Sequence, residues 1–335
     1  MRIVVHGAGG IGCYVGGRLA AAGADVTLIG RQRLADELAE HGLHLTDYLG
    51  ADLRVPTEQV HFETTPDAAA EADLVLVTVK SAATATAADE LAAVLKPGAV
   101  VVSFQNGIRN GEILRERLPD RVVLTGMVPF NVLNRGGGAF HQGTEGGLDI
   151  ARHPALGPYV ETFACAGLPL TQHDDILPVQ WAKLLLNLNN PVNALSDLPL
   201  RDELAQRAYR RCLAAAQAET LELLTAAGIT PARLMVVPPG RLPMLLRLPD
   251  FLFRRLASKM LAIDPLARTS MWEDLEAGRR TEIDYLNGEV VRLAESLGRT
   301  APVNAKLIEL IRAVESGRAR GMTGPDLLRE LTSAR

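Results

Sequence analysis

The N-terminal segment of residues 2–31 constrains the fold more than any other part of the chain. It begins with a short apolar run at residues 3–5, which predicts a buried parallel strand, and a glycine-rich turn follows at once. A helix of small residues then extends to Ala22, and residues 26–29 predict a second strand. The turn reads G-x-G-x-x-G, and this strand–turn–helix–strand context is the one in which the motif indicates dinucleotide binding. Its residues are Gly7, Ala8, Gly9, Gly10, Ile11 and Gly12.

The three glycines of the motif have separate physical roles. Gly7 allows the tight turn, Gly9 lets the backbone approach a pyrophosphate, and Gly12 lets the helix pack close to the strand. The helix N-terminus adds N–H groups and a partial positive charge, which favour a bound phosphate. We therefore predict that residues 7–12 bind the cofactor. The alternative is a glycine-rich turn of an α/β protein that binds nothing.

The end of the second strand indicates which dinucleotide binds. NAD-binding units usually carry Asp or Glu there, and that acid holds the ribose 2′-hydroxyl. Here the chain reads Gly30-Arg31-Gln32-Arg33, without an acid. A guanidinium can bind a 2′-phosphate through two hydrogen bonds and stack on adenine, whereas a carboxylate would repel it. We predict NADP(H) as the cofactor, with Arg31 as the main contact and Arg33 as a second. The alternative is a solvated basic loop.

Length and composition bound the class of protein. The chain has 335 residues, of which 47% are hydrophobic and 22% are charged, so two globular domains are expected. A net charge of −4 without a basic run argues against nucleic acid as a partner. The three cysteines lie far apart, so neither a metal site nor a disulfide framework is expected. Because no apolar run reaches transmembrane length and the N-terminus predicts a strand, we expect no membrane partner and a cytoplasmic protein.

Strand and helix patterns alternate along the first half of the chain. This alternation predicts an α/β fold with a doubly wound parallel sheet of the Rossmann type. The glycine-rich residues 127–150 predict hairpin-like strands that close the sheet edge. The other strands are predicted at residues 43–45, 53–55, 72–80, 100–107 and 122–126, with a helix at 34–41.

Two polar residues follow predicted strands. Lys80 and Asn106 each come just after a strand end. Ligands of doubly wound sheets bind beyond the carboxyl ends of the strands, so both residues are predicted to face the cofactor. The alternatives are a solvated lysine for Lys80 and a simple turn for Asn106-Gly107.

From residue 176 to the end the pattern is almost entirely helical. It predicts an N-terminal domain over residues 1–175 and an all-helical domain over residues 176–335, whose apolar helices favour a homodimer. The Pro-rich residues 231–249 are expected to connect helices irregularly, with a membrane-surface or partner segment as the alternative. The tail after Glu315 is expected to be frayed. The predicted helices cover residues 176–195, 201–227, 251–262, 266–277, 281–297 and 303–316.

The first of these helices carries a lysine in apolar surroundings. Lys183, Asn187 and Asn190 are spaced i, i+4 and i+7, which predicts that they share one helix face. A buried lysine is costly, so this face is expected to line a polar cleft that binds substrate. Burial lowers a lysine pKa toward neutrality, which suits proton transfer. Pro191 removes a helix hydrogen bond to the Asn187 carbonyl. The alternative is a lysine that reaches the surface, with the asparagines as helix-end polar residues.

A third informative stretch lies near the C-terminus and includes Ser270 and residues 279–288. Thr281 can be a helix N-cap, and Glu282 can be a first-turn carboxylate that the helix dipole favours. Judged on residue types alone, a structural interpretation is favoured for both.

Together, these motifs resemble the ketopantoate reductase (2-dehydropantoate 2-reductase) family. The resemblance implies a Rossmann domain that binds NADP and a helical domain for substrate binding and dimerisation, as in relatives of 6-phosphogluconate dehydrogenase. It also implies NADPH-dependent reduction of ketopantoate to pantoate, a step toward pantothenate and coenzyme A. The matching features are G-x-G-x-x-G at 7–12, Arg31, Val79-Lys80, Gln105-Asn106-Gly107, Lys183 with Asn187, Ser270-Met271 with Asp274, and Thr281-Glu282-Ile283-Asp284 with Asn287-Gly288.

The same resemblance implies a role for individual residues. Lys183 would be the general acid that protonates the carbonyl oxygen as hydride arrives. Glu282 would orient the substrate and Lys183, while Lys80 and Asn106 would lie near the nicotinamide. The residues implied to bind substrate are Asn106, Asn187 and Ser270.

Two other functions stay open at this point. One is NADPH-dependent reduction of a different 2-oxo acid or related carbonyl compound. The other is a non-catalytic NADPH-binding sensor, against which the presence of both Lys183 and Glu282 argues.

Overall fold

The chain folds into two compact units, Met1–Ile176 and Leu177–Arg335, in a computed structural model that describes residues 1–256 and 267–334. The boundary predicted from the sequence lay between residues 175 and 176. Parts of two predicted helices, residues 257–262 and residue 266, lie outside the described residues.

The first unit contains alternating strands and helices. Its helices are α1 (Gly10–Ala21), α2 (Gln32–His41), α3 (Thr84–Val94), α4 (Asn110–Arg117) and α5 (Gly157–Cys165). Its strands are β1 (Arg2–His6), β2 (Asp25–Ile29), β3 (Leu43–Asp47), β4 (Asp52–Val55), β5 (His61–Glu63), β6 (Leu74–Val77), β7 (Val100–Ser103), β8 (Val122–Met127), β9 (Val132–Gly136), β10 (Ala139–Gln142), β11 (Leu148–Ala151) and β12 (Leu170–His173).

Eight strands form the main sheet, in the order β12-β11-β8-β7-β6-β1-β2-β5. All neighbours pair in parallel except β11 and β8, which are antiparallel. The chain runs outward from β1 on one side and from β6 on the other, so the strand order reverses between these two strands. Ligands of such sheets bind at that reversal, beyond the carboxyl ends of the strands. The predicted Rossmann-type fold is confirmed.

Both faces of this sheet are buried. Along β1, Ile3 and Val5 belong to a core cluster that includes side chains of α1 and α5, while Val4 belongs to a cluster with side chains of α3 and α4. A strand that is covered on both faces reads as a continuous apolar run, and this is why residues 3–5 show no polar alternation.

The prediction that residues 127–150 form a hairpin closing the sheet edge was wrong in part. β9 and β10 do form an antiparallel pair, but they belong to a second sheet of order β4-β3-β10-β9, in which β10 pairs in parallel with β3. Phe140 of β10 and Leu45 of β3 are buried against α1, so this small sheet covers that helix. Only β11 joins the main sheet.

Two predicted strands end earlier than expected. β6 stops at Val77 and β7 at Ser103, whereas the apolar patterns extended to residues 80 and 107. The residues beyond each strand leave the sheet and enter a polar network, which is described below.

The second unit is helical in its described part. The long helix α9 packs against the helices on either side of it and supplies much of the core. The helices are α6 (Leu177–Asn187), α7 (Asn189–Ser196), α8 (Leu200–Leu204), α9 (Arg207–Ala226), α10 (Leu242–Leu246), α11 (Asp250–Leu256), α12 (Ser270–Glu276), α13 (Asn287–Ser296), α14 (Pro302–Glu315) and α15 (Gly324–Ser333).

Proline and loop residues divide two predicted helices. The helix predicted over residues 176–195 is broken at Leu188, because Pro191 has no N–H to donate to the Asn187 carbonyl. Lys183 and Asn187 therefore share α6, whereas Asn190 lies on α7. The helix predicted over residues 201–227 is likewise divided into α8 and α9.

Two predictions for the C-terminal region were wrong. Residues 281–297 do not form one helix: a 3₁₀ turn at Ile283–Tyr285 precedes α13, and the backbone of Leu286 (φ −111°, ψ −86°) is not helical. The tail after Glu315 is not frayed throughout. The hydroxyl of Thr323 caps α15 by accepting from the Asp326 N–H, and Leu327 and Leu331 are buried.

The Pro-rich segment contains a 3₁₀ turn at Pro239–Arg241 and the short helix α10. Among the described residues, no helix combines the length and the hydropathy that a bilayer crossing requires.

Candidate active site

The glycine-rich loop joins the end of β1 to the start of α1. Gly7 has φ +114°, and a Cβ there would lie 2.5 Å from the Val79 amide nitrogen, so only glycine fits. A Cβ on Gly12 would lie 2.4 Å from the Gly7 carbonyl oxygen, so this glycine permits the close approach of α1. At Gly9 the nearest atom would be 4.0 Å away, which leaves space beside the first turn of α1. An open backbone at a helix N-terminus fits a pyrophosphate.

Backbone hydrogen bonds hold this loop against the neighbouring strands. The amides of Gly7 and Ala8 both donate to the Ile29 carbonyl, at 3.0 and 2.8 Å. The Thr78 hydroxyl donates to the Gly7 carbonyl at 2.8 Å. The loop therefore has a fixed shape that depends on the ends of β2 and β6.

The end of β2 is basic and exposed. Arg31 is the N-cap residue of α2, and both Arg31 and Arg33 are exposed. Neither arginine forms an ion pair with a carboxylate in the described part of the chain. Both are thus available to an anionic group such as a 2′-phosphate.

A buried polar network connects the ends of β6 and β7, where Lys80 and Asn106 lie. The Gln105 side chain donates to the Val79 carbonyl at 2.9 Å and to the Thr84 hydroxyl at 2.7 Å. The Ser81 hydroxyl donates to the Asn106 carbonyl at 2.9 Å, and the Asn110 amide also donates to that carbonyl. The structure thus brings the backbones of Lys80 and Asn106 to the same sheet edge as the glycine-rich loop.

Lys183 lies on α6, partly buried among apolar neighbours that include Trp181 and Leu184. Burial lowers the pKa of Lys183 to about 8, because the charged form is poorly solvated there. An ammonium with such a pKa is protonated at neutral pH, yet it releases its proton far more readily than a surface lysine. It has the properties of a general acid.

The asparagines around Pro191 point to different partners. Asn189 and Asn193 both donate to Oε2 of the buried Glu203, at 3.2 and 3.0 Å. They are therefore committed to the interior of the second unit. Asn190 is only partly buried, which leaves it as the candidate of the three to contact a substrate.

Ser270 is the exposed first residue of α12, and the preceding Thr269 is the N-cap of that helix. The Thr269 hydroxyl lies 3.5 Å from the Asn190 carbonyl, and α12 packs against α7. The structure therefore brings Asn190 and Ser270, two predicted substrate residues, to neighbouring helices.

Glu282 is partly buried and precedes the 3₁₀ turn at Ile283–Tyr285. It is not a first-turn residue of α13, so the interpretation based on the dipole of that helix was wrong. The hydroxyl of Thr281 accepts from the Ile283 N–H at 3.3 Å and donates to Glu315 at 2.8 Å. Glu282 is thus held in a loop that is fixed on both sides.

Sequence reasoning missed several residues that shape these sites. Glu203 attracted no attention, because one of two adjacent acids in a short helix resembles a solvated residue. Gln105 was quoted only for its family resemblance, and Asn110 was not singled out. For Gln105 the detectable signal was a polar residue directly after an apolar segment.

The fold and these residues define a class of protein. It comprises oxidoreductases in which a Rossmann-type unit for a nicotinamide dinucleotide precedes a helical unit. Sequence models of one family match both parts of the chain, "Ketopantoate reductase PanE/ApbA" over residues 3–155 and "Ketopantoate reductase PanE/ApbA C terminal" over residues 175–315. The chain belongs to the ketopantoate reductase family.

Individual relatives agree with this assignment. A 2-dehydropantoate 2-reductase of Halobacterium salinarum is 31% identical over 325 residues, which cover 94% of this chain and 99% of the relative. The crystal structure of a ketopantoate reductase from Ralstonia eutropha is also 31% identical, with a TM-score of 0.80 over 94% of this chain and 99% of the other. A D-mandelate dehydrogenase with NADH and anilino(oxo)acetate has a TM-score of 0.78 over 94% of this chain and 98% of its own. Its 20% identity shows only a shared fold.

Proposed function

We propose that this chain reduces 2-dehydropantoate (ketopantoate) to pantoate with NADPH, a step of pantothenate and coenzyme A biosynthesis. The observation that carries the proposal is that both sequence models of the ketopantoate reductase family, N-terminal and C-terminal, match the chain. The first unit is the NADP-binding domain, and the second binds the substrate.

Residues 7–12 bind the pyrophosphate and Arg31 binds the 2′-phosphate, with Arg33 beside it. The absence of an acid at the end of β2 and the exposure of both arginines support the phosphorylated cofactor. Lys80 and Asn106 face the nicotinamide. The bound cofactor supplies the hydride.

Lys183 binds the ketone oxygen and donates a proton to it, so that the carbonyl becomes the 2-hydroxyl group of the product. Its ammonium also stabilises the negative charge that develops on this oxygen. Glu282 orients Lys183 and the substrate. The neutral polar groups of Asn106, Asn187, Asn190 and Ser270 bind the substrate.

The homodimer stays a prediction, which the surface of the helical unit supports. It exposes several large apolar side chains, with Val236 80%, Met244 66% and Phe251 77% accessible. Exposed apolar side chains of this kind favour contact with a second copy. Light scattering of the purified protein tests this, and a monomer mass at micromolar concentration would overturn it.

The direct test of the activity is the loss of NADPH absorbance in the presence of ketopantoate. Parallel assays use NADH, other aliphatic 2-oxo acids and an aromatic one, because the D-mandelate dehydrogenase shares the fold. Fast turnover of ketopantoate with NADPH is expected. Faster turnover of another 2-oxo acid would assign a different substrate. NADPH binding without turnover of any acid would favour the sensor.

A further inference from the structure

Glu203 is a completely buried acid in the helical unit. Its side chain is 0% exposed, and Oε2 accepts hydrogen bonds from the side-chain amides of Asn189 and Asn193. In the described part of the chain, no cation pairs with it, and Oε1 has no hydrogen-bond partner. Burial raises the pKa of Glu203 to about 8, against the opposing effect of the two amides. At neutral pH the group is therefore an uncharged carboxylic acid.

Asn193 connects Glu203 to the start of α12 through hydrogen bonds. Its Oδ1 accepts from the Thr269 N–H at 3.1 Å and lies 3.2 Å from the Thr269 hydroxyl. Its Nδ2 donates to the Leu198 carbonyl at 2.9 Å as well as to Glu203. All hydrogen-bonding positions of this amide are occupied, so its orientation is fixed.

Thr269 and Asn193 are direct neighbours of the predicted substrate residues. Ser270 follows Thr269 in the chain, and the Thr269 hydroxyl lies 3.5 Å from the Asn190 carbonyl. Asn190 lies on α7 between the two asparagines that contact Glu203. A shift of Asn193 would therefore be transmitted to both substrate residues.

We propose that Glu203 is a positioning residue of the reductase, which fixes Asn190 and Ser270 through its hydrogen bonds to Asn189 and Asn193 and through Thr269. The inference rests on the proposed function for the identity of the substrate. Removal of the carboxyl group leaves one buried N–H of Asn189 and one of Asn193 without an acceptor, which is costly and weakens the hold on Asn193. A side-chain carbonyl at position 203 is sufficient to prevent this.

The test compares Glu203→Ala with Glu203→Gln, which keeps an acceptor carbonyl. For Glu203→Ala the KM for ketopantoate is expected to rise about tenfold, equivalent to about 1.4 kcal/mol, with the KM for NADPH within about twofold of wild type. Glu203→Gln is expected to restore the KM for ketopantoate to within about threefold. Leu327→Ala is the matched control, because Leu327 is fully buried in α15 outside this network. It should lower the melting temperature without changing either KM.

A second measurement does not depend on activity. Hydrogen exchange of the Thr269 amide, followed by mass spectrometry of the peptide that contains it, should be faster in Glu203→Ala and unchanged in Glu203→Gln and Leu327→Ala. If wild type turns over no 2-oxo acid, the proposed function fails. The exchange rate of the Thr269 amide still shows whether Glu203 fixes the start of α12.

An unchanged KM for ketopantoate in Glu203→Ala, or an equal rise in Leu327→Ala, would overturn the proposal and leave Glu203 a structural residue. Unchanged exchange at Thr269 would overturn it independently. If Glu203→Ala does not fold, Thr269→Val replaces it. This variant replaces the hydroxyl, which also caps α12 by accepting from the Trp272 N–H, with a methyl group. It should raise the KM for ketopantoate about threefold, with the KM for NADPH unaffected. No rise would again contradict the proposal.

Discussion

Thr281 donates both its backbone N–H and its hydroxyl to the same oxygen of Glu315, and each hydrogen bond is 2.8 Å long. Thr281 directly precedes Glu282, the proposed partner of Lys183. The last residue of α14 thus holds the loop that carries Glu282.

Glu315→Ala is therefore expected to lower kcat/KM for ketopantoate about three- to tenfold, since two hydrogen bonds to a charged but exposed group stabilise by on the order of 1 kcal/mol. The KM for NADPH should not change. Steady-state kinetics measures both constants. Glu309→Ala is the control on the same helix, because Glu309 is also an exposed acid but pairs with Lys306 of α14 itself. An equal loss in both variants would exclude a specific role for the contact with Thr281.

The pH dependence of the reaction reports the protonation of Lys183. Burial lowers the pKa of Lys183 to about 8, and the protonated form is the proton donor. We expect kcat/KM to be constant below about pH 8 and to fall about tenfold per pH unit above it. Lys183→Ala should lower kcat by about two to four orders of magnitude and remove this alkaline limb.

Lys306→Ala is the control for Lys183, because contact with Glu309 raises the pKa of Lys306 instead of lowering it. Its pH profile should match wild type. A wild-type profile that stays flat to pH 10 would contradict the assignment of Lys183 as the general acid.

The fold could be predicted where the signals are local. The strand at residues 3–5, the glycines at 7–12 and the helix after them lie within one short segment, and each has a steric reason. The second sheet could not be predicted, because β10 pairs with β3 across almost a hundred residues, and alternation along β10 does not indicate which sheet it joins.

Some residues of the candidate site could likewise be predicted from local signals, and others could not. Lys183 was identifiable because a lysine among apolar residues conflicts with its surroundings. Glu203 was not, because the adjacent Asp202 is exposed while Glu203 is fully buried. Only the packing of α8 against α7 distinguishes these two acids. The lost hydrogen bond at Pro191 was recognised from the sequence, but the helix was still predicted as continuous through the break at Leu188.

Cofactor selection depends on Arg31. Arg31→Ala should raise the KM for NADPH about tenfold or more, and far more than the KM for NADH, because NADH has no 2′-phosphate to lose as a partner. Initial rates with both cofactors give the ratio. Arg54→Ala is the control, since Arg54 is also an exposed arginine of the first unit but lies on β4. An unchanged ratio of the two KM values would show that Arg31 does not bind the 2′-phosphate.

The buried acid also predicts how stability depends on pH. The pKa of Glu203 is about 8 in the folded protein, while the unfolded chain has the ordinary value of 4.5. Between these values the folded state binds one more proton than the unfolded state, so the free energy of unfolding falls as pH rises from about 4.5 to about 8. Glu203→Gln cannot ionise, and it should remove this part of the pH dependence. Glu309→Gln, an exposed control, should retain it. Thermal unfolding at pH 5, 6, 7 and 8 measures the difference, and parallel curves for wild type and Glu203→Gln would show that the folded protein holds Glu203 ionised.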